Sequence, residues 1–285
     1  MSSPTTTRKP KHRAHAGATS TDDFLGGRIS VAQPRTGHRA GSDAVFLAAS
    51  VPARAGLRVL DIGAGSGVAG LCLLARVQGV DVTAVEIDER LAALASHNAA
   101  ENGFAAQFRS IAADVTSPGK ALAAAGLKRE SYQHLMANPP FYAERSVRAA
   151  PDSARATAHI MRDGGLAAWV RFFAAMAAPN GLLTMIHRPD CLGQLFALLE
   201  GRFGSVAVFP LFPKSGEAAT RIIVQAKKGS RAGLNLLPGL VLHDPDGAYT
   251  EAAEAVLRGG AALNLRGSSA AKVDKSSRSR YQPLR

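Results

Sequence analysis

The 285-residue chain predicts an α/β protein: seven strands in a helix-covered parallel sheet that closes in an antiparallel hairpin. Three observations carry this. Short apolar runs alternate with helical stretches over residues 57–137 at the spacing of βαβ units. The first of these runs ends in Gly63-Ala64-Gly65-Ser66-Gly67, where a strand must turn sharply into a helix. The last two apolar runs, 206–211 and 220–226, leave only residues 212–219 between them, too few for a helical crossover.

Taken in order, the chain turns globular at Phe24. Gln33-Pro34-Arg35-Thr36-Gly37-His38-Arg39-Ala40-Gly41-Ser42-Asp43 leads into an apolar helix over 44–50, with Ser42 or Asp43 placed to cap its first turn; Pro52 ends it. Strand 57–62 passes through the glycine-rich turn into a helix over 68–77. Strand 80–87 ends on acids, Glu86 and Asp88, and an Ala-rich helix spans 89–102. A third strand, 107–113, closes on Asp114-Val115, and a helix covers 119–126. Strand 132–137 then delivers Asn138-Pro139-Pro140-Phe141. Two prolines remove two backbone donors and push Asn138 out of the helical region, so the strand stops there. A polar loop over 142–162 follows, then a helix over 166–178, Asn180-Gly181, a strand over 182–187, a helix over 190–199 and the final hairpin. Two short apolar runs, 234–242 and 252–257, flank Gly247-Ala248-Tyr249-Thr250 and are expected against the sheet edge. There are no internal repeats.

The net charge of +12 is concentrated at the ends, +4 in residues 1–21 and +5 in residues 266–285. Both stretches are poor in large apolar side chains, which cannot repay the entropy of ordering. The domain organisation expected is therefore a basic disordered tail over 1–22, one domain over 23–265, and a second basic tail over 266–285. Basic arms suit attraction to a polyanion, and a solubilising tail has the same composition. No run approaches the roughly 20 apolar residues that span a bilayer, and the N-terminus lacks a signal-peptide core; the expected location is cytoplasmic, with no membrane partner. Cys72 and Cys191 each sit in an apolar context without a second ligand at metal spacing, so they read as reduced packing residues and no metal is expected.

The chemistry lies at the strand ends. Glycine loops also cradle pyrophosphate, but here Asp61 precedes the first glycine, and a carboxylate suits a cationic group rather than a phosphate. Glu86, at the next strand end, suits two ribose hydroxyls, with Ile87 beside it. Asp114, with Val115, suits an adenine amino group. Each acid alone is explained as a strand-end cap. Together they describe a ligand with an amine, a ribose and an adenine.

This combination resembles the class I S-adenosylmethionine-dependent methyltransferases, whose fold is a Rossmann-like seven-stranded sheet with an antiparallel C-terminal hairpin. The resemblance implies S-adenosylmethionine as cofactor, held by Asp61, Gly63, Ala64, Gly65, Gly67, Glu86, Ile87, Asp114, Val115 and Asn138. The Asn138 turn resembles the Asn-Pro-Pro-aromatic motif of enzymes that methylate planar conjugated amines. Such a nitrogen is a poor nucleophile, because its lone pair is delocalised into the ring. Hydrogen bonds to the Asn138 side chain and the Pro139 carbonyl would favour a more tetrahedral nitrogen, with Pro140 stiffening the turn and Phe141 stacking on an extruded base.

Residues 33–43, the Asn-Pro-Pro-Phe turn, Ala158-His159, Ile186-His187-Arg188-Pro189 and Gly247-Ala248-Tyr249-Thr250 resemble the bacterial tRNA1(Val) adenine-37 methyltransferase group. Membership implies N6-methylation of the adenine following the anticodon, and RNA as partner. Arg39, Tyr142, Arg145, Arg148, Arg155, Arg188, Lys214, Lys227 and Lys228 are the expected RNA contacts. Release-factor glutamine methyltransferases share the turn but carry a helical domain ahead of it. Ribosomal RNA guanine enzymes often bring an extra N-terminal domain, and DNA adenine enzymes a target-reading insert. None is evident here, and a noncatalytic RNA-binding module would not need the turn.

Overall fold

The structure is a computed structural model and describes residues 19–37, 39–139 and 165–266. It opens with a hairpin whose first strand begins inside the expected tail: β1 (Thr19–Phe24) pairs antiparallel with β2 (Ile29–Pro34), apart from the main sheet. The tail boundary at residue 22 therefore moves, since residues 19–22 belong to β1. No position of β1 is fully buried, so it offers no apolar period to read; β2 buries Ile29, Val31 and Gln33 at alternate positions. At the other end Arg266 is bound to the sheet, which shortens the second tail by one residue.

The expected alternation follows. It comprises α1 (Ser42–Ala49), β3 (Arg58–Ile62), α2 (Val68–Arg76), β4 (Asp81–Glu86), α3 (Glu89–Glu101), β5 (Phe108–Ala112), α4 (Gly119–Ala124) and β6 (Tyr132–Ala137). Then come α5 (Gly165–Met176), β7 (Ala177–His187), a 3-10 turn at Pro189–Cys191, α6 (Leu192–Leu199), β8 (Phe203–Lys214) and β9 (Arg221–Lys228). Across the sheet the order is β8-β9-β7-β6-β3-β4-β5, with β9 antiparallel to both neighbours and the other pairs parallel. The antiparallel closing hairpin expected from the short connection is thus present. Two further strands, β10 (Asn235–Leu236) and β11 (Leu240–His243), add in parallel to the outer edge of β8. These pairings, with β9 on the other side, carry β8 to Lys214, three residues beyond the expected end. A last helix, α7 (Glu251–Leu257), lies against α1 and β11.

Capping differs from expectation at α1. Gly41 is its N-cap, with no side-chain bond, because Ser42 and Asp43 lie inside the first turn. Asp43 instead accepts from Arg221 Nε at 2.8 Å, tying α1 to β9. Asp88 caps α3 by accepting from the Arg90 and Leu91 amides, and Thr250 caps α7 through the Ala253 amide. Each such cap contributes about 1 kcal/mol.

The sheet separates two cores. One face packs Val59, Val82, Met136 and Ile223 against α1, α2 and α3; the other packs Leu60, Ile62, Leu135 and Val224 against α5 and α6. Cys72 and Cys191 are buried free thiols. Among the described residues, no helix is long and apolar enough to cross a membrane.

A polar chain crosses the first core. His134 Nε2 lies 2.8 Å from Thr184 Oγ1, which accepts from Gln225 Nε2 at 3.0 Å, and Gln225 Oε1 accepts from Arg266 Nε at 2.6 Å. Burial first, then the positive charges of Arg266 and Arg76, push His134 from 6.5 down to about 3. A depressed histidine contributes stability that is complete above pH 6.5 and is lost as pH falls towards 3, since only the unfolded chain takes up the proton. Acid unfolding should therefore steepen in this window. Chemical denaturation as a function of pH checks it, and His134→Gln should flatten the slope.

Candidate active site

Parallel register aligns the strand ends. Ile62 pairs with Val85 on one side and Ala137 on the other, and Glu86 pairs with Ala112. The next residues off each strand, Gly63, Ile87, Ala113 and Asn138, therefore share one rim, with neighbouring strands about 4.8 Å apart. Asn138 and the glycine loop leave adjacent strands, β6 and β3.

Val85 O fastens the start of the loop, accepting from Gly63 N at 2.8 Å and Ala64 N at 3.1 Å. A Cβ at Gly63 would stand 2.7 Å from the Trp169 ring, so α5 backs the loop closely. Gly65 is the opposite case. Its φ is +57°, and a Cβ there would meet nothing within 4 Å, so the backbone faces open space. Gly67, with φ +90°, starts α2 and packs on Ala95 and Phe108.

The acids brace this loop. Glu86, 8% exposed, accepts from Gly65 N at 2.8 Å and from Asp88 N at 3.0 Å. Asp61, 2% exposed, accepts from Gly70 N at 3.0 Å through Oδ2 and so joins β3 to the first turn of α2. Burial lifts its carboxyl to about 7, the Gly70 bond opposing and the Glu86 charge adding. Asp114 Oδ1 accepts from the amide and hydroxyl of Thr116 at 2.8 and 2.7 Å, folding the loop after β5. Ile87 is 41% exposed, an uncovered apolar side chain between the two acids. Val115 lines a cavity of about 660 Å³ that runs between α4 and α5 past Leu122 and Phe172; no other expected cofactor residue lines it.

Asn138 carries the most unusual feature. Its Oδ1 is buried and has no hydrogen-bond partner among the described residues. Such an acceptor costs about 1–3 kcal/mol. Pro139, buried beside it, has no N–H to offer. A donor brought by a ligand would satisfy it.

The basic residues divide. Arg188 follows β7 and Lys214 ends β8, both at the end of the sheet that carries Asn138; Arg188 pairs with Asp190 and Lys214 donates to Pro245 O at 3.2 Å. Lys227 and Lys228 do not belong with them. They end β9, whose reversed direction puts Lys228 beside Phe203, the first residue of β8, and so at the far end of the sheet. Lys228 there bonds Glu130 and Ala177 O, each at 2.8 Å. Arg39 is also reassigned, because its guanidinium holds Asp22, Ser20 Oγ and Pro34 O and fastens the hairpin. Pro140, Phe141, Tyr142, Arg145, Arg148, Arg155 and Ala158-His159 lie outside the described residues.

Comparison with known proteins agrees with this geometry. The family described as Methyltransferase small domain matches residues 39–173. A protein of Enterobacter sp. (strain 638) named tRNA1(Val) (adenine(37)-N6)-methyltransferase is 30% identical over 220 residues, 72% of this chain and 87% of the relative. The chain belongs to this methyltransferase family. A relative of the same name from Dickeya chrysanthemi is 27% identical over 86% of this chain and 96% of its own. A crystal structure from Agrobacterium tumefaciens, described as a predicted O-methyltransferase, superposes with a TM-score of 0.68 at 30% identity, covering 79% of this chain and all of that one. The present methyltransferase is thus an S-adenosylmethionine-dependent enzyme on a Rossmann-like sheet. Its residues fit that cofactor: an open backbone approach at Gly65, an exposed Ile87 and the buried acid Glu86 are all at one rim.

The raised Asp61 carboxyl has a testable consequence. The folded form of this group is favoured while protonated, and that contribution is lost as pH rises from 3.8 through about 7. Asp61→Asn should therefore raise the thermal midpoint of ligand-free protein by a few degrees at pH 8, by about half as much at pH 5.5, and not at all near pH 3.8. The same variant should bind S-adenosylmethionine more weakly, a gain in stability coupled to a loss of function that scanning calorimetry and titration calorimetry read separately.

Proposed function

We propose that this methyltransferase modifies the exocyclic 6-amino group of an adenine in tRNA, the anticodon-loop adenine 37 of a valine tRNA. The observation that carries the reading is the buried, unpartnered Oδ1 of Asn138, an acceptor that an amine N–H would satisfy. The names of the relatives support adenine-37 as the target and tRNA as its carrier.

S-adenosylmethionine, when bound, supplies a methyl group already activated by its sulfonium charge. The chain's own task is then orientation. Glu86 and Asp114 would accept from the ribose hydroxyls and the adenine amine of the cofactor through lone pairs that their loop contacts leave over. Asp61 fixes the loop and balances the cofactor's amino group. On the substrate side, Asn138 Oδ1 and the Pro139 carbonyl accept two N–H bonds, localise the nitrogen lone pair and aim it at the methyl group. The N–C bond would form as the sulfonium S–C bond breaks, which leaves the cofactor as a neutral thioether, and the surplus proton on nitrogen would pass to water. Phe141, adjacent in sequence, stacks on the base, and Tyr142, Arg145, Arg148 and Arg155 follow as ring and charge for an RNA strand. Arg188 and Lys214 contact phosphate from the same end of the sheet.

A glutamine side-chain amide would suit the same acceptors, and the Agrobacterium structure raises oxygen methylation. An Oδ1 acceptor also binds a hydroxyl, but a hydroxyl offers one donor where an amino or amide nitrogen offers two to a paired acceptor. Incubation with labelled cofactor and total tRNA, total rRNA or release factor in parallel separates these readings. The tRNA fraction should take the label; exclusive labelling of release factor would overturn the proposal.

A further inference from the structure

Helix α3 buries Ala92, Ala95 and Ala99, and the same face carries Asn98, 2% exposed. One turn on stands Asn102. Both cap the outer edge of β2, whose backbone would otherwise go unpaired. Asn98 accepts from Ala32 N at 2.9 Å and donates to Ala32 O at 3.0 Å; Asn102 accepts from Ser30 N at 2.9 Å and donates to Ser30 O at 2.7 Å. Asn98 also donates to Ser66 O at 2.9 Å, whereas the further bond of Asn102 runs back to Asn98 O at 2.8 Å and does not reach the loop.

Ser66, 5% exposed, lies between Gly65 and Gly67. Its hydroxyl points at Gln33 Oε1, 3.4 Å away, and that oxygen also accepts from Ala40 N at 2.9 Å. Gln33, 1% exposed, donates in turn to Asp22 at 2.7 Å and Ala40 O at 3.1 Å. The one residue between two left-handed glycines is therefore held from outside, by side chains seated on the hairpin. The Gly67 amide of the same peptide donates to Ala64 O at 2.9 Å, and the Asn98 bond holds its carbonyl end.

We infer that Asn98 and Gln33 are positioning residues for the cofactor: they fix the Ser66 peptide, so that the Gly65 backbone is oriented before S-adenosylmethionine arrives. The hairpin is then a working part of the cofactor site. Ordering completed in advance is not charged against binding. The inference rests on the reading that the glycine loop holds the cofactor.

The two asparagines supply the test. Asn98→Ala should weaken S-adenosylmethionine binding about tenfold by titration calorimetry, and raise its KM with kcat at saturation held within about twofold. Hydrogen exchange of the loop amides in ligand-free protein should accelerate. Asn102→Ala loses the same kind of hairpin clamp without touching Ser66, and should leave both affinity and loop exchange unchanged. Equal losses in the two variants, or no loss in Asn98→Ala, would overturn the inference. If Asn98→Ala does not fold, Gln33→Ala carries the comparison with the same outcomes. Gly65→Val, measured alongside, separates the premises: normal binding by that variant would refute the loop assignment itself.

Discussion

Asn138→Ala is expected to bind S-adenosylmethionine with unchanged affinity and to lose methyl transfer by about 10³-fold, the scale of removing one preorganised hydrogen bond to a reacting group. The side chain lies at the end of β6 with Oδ1 buried and unpartnered, so the folded state already bears the cost of holding it ready. Its removal relieves that cost, and the variant should be no less stable than the parent. Stability and activity thus move in different directions, which a merely structural asparagine would not do. Asn138→Asp should be as inactive, because a buried carboxylate beside a sulfonium binds the cofactor's charge rather than aiming an amine. Single-turnover transfer and thermal unfolding, measured on the same preparation, check both points.

Gly65→Val is expected to abolish cofactor binding, weakening it by more than about 100-fold while the fold persists. Two effects act together. A β-branched residue at φ +57° strains the turn, and the added side chain enters the open space that the bare backbone now faces. The same strain displaces the Gly65 amide from Glu86, and the brace between loop and β4 is lost. Gly63→Val makes a useful contrast. It collides with the Trp169 ring at 2.7 Å, so its first effect should be a lowered unfolding temperature. Titration calorimetry and thermal unfolding of the two variants resolve the roles of neighbouring glycines.

Most of the sheet was legible because its strands are buried on both faces and read as continuous apolar runs, and because the short gap before β9 admits only a hairpin. The strand-end acids were legible as a set. What they touch was not: Asp61 and Glu86 turn inward to bind loop amides, and a one-dimensional pattern carries no direction for a side chain. Lys227 and Lys228 show the same limit, since their distance along the chain from Lys214 hides the reversal of β9 that carries them to the far end. The β1–β2 hairpin escaped because its outer strand is polar up to Phe24 and merges with a basic tail. Its signal was the Leu25-Gly26-Gly27 turn, three consecutive positive φ values ahead of one run of period two in β2. Asn98 also left a trace. It is a polar residue on the alanine face of α3, and a buried amide demands partners.

The most direct test of the amine clamp is the identity of the methylated product. Purified protein, labelled S-adenosylmethionine and a valine-tRNA transcript are incubated, and the RNA is digested to nucleosides. The account predicts N6-methyladenosine, lost when adenine 37 is replaced by guanine. Label recovered as an oxygen-methylated nucleoside, or N6-methyladenosine still formed by Asn138→Ala at the parental rate, would contradict it.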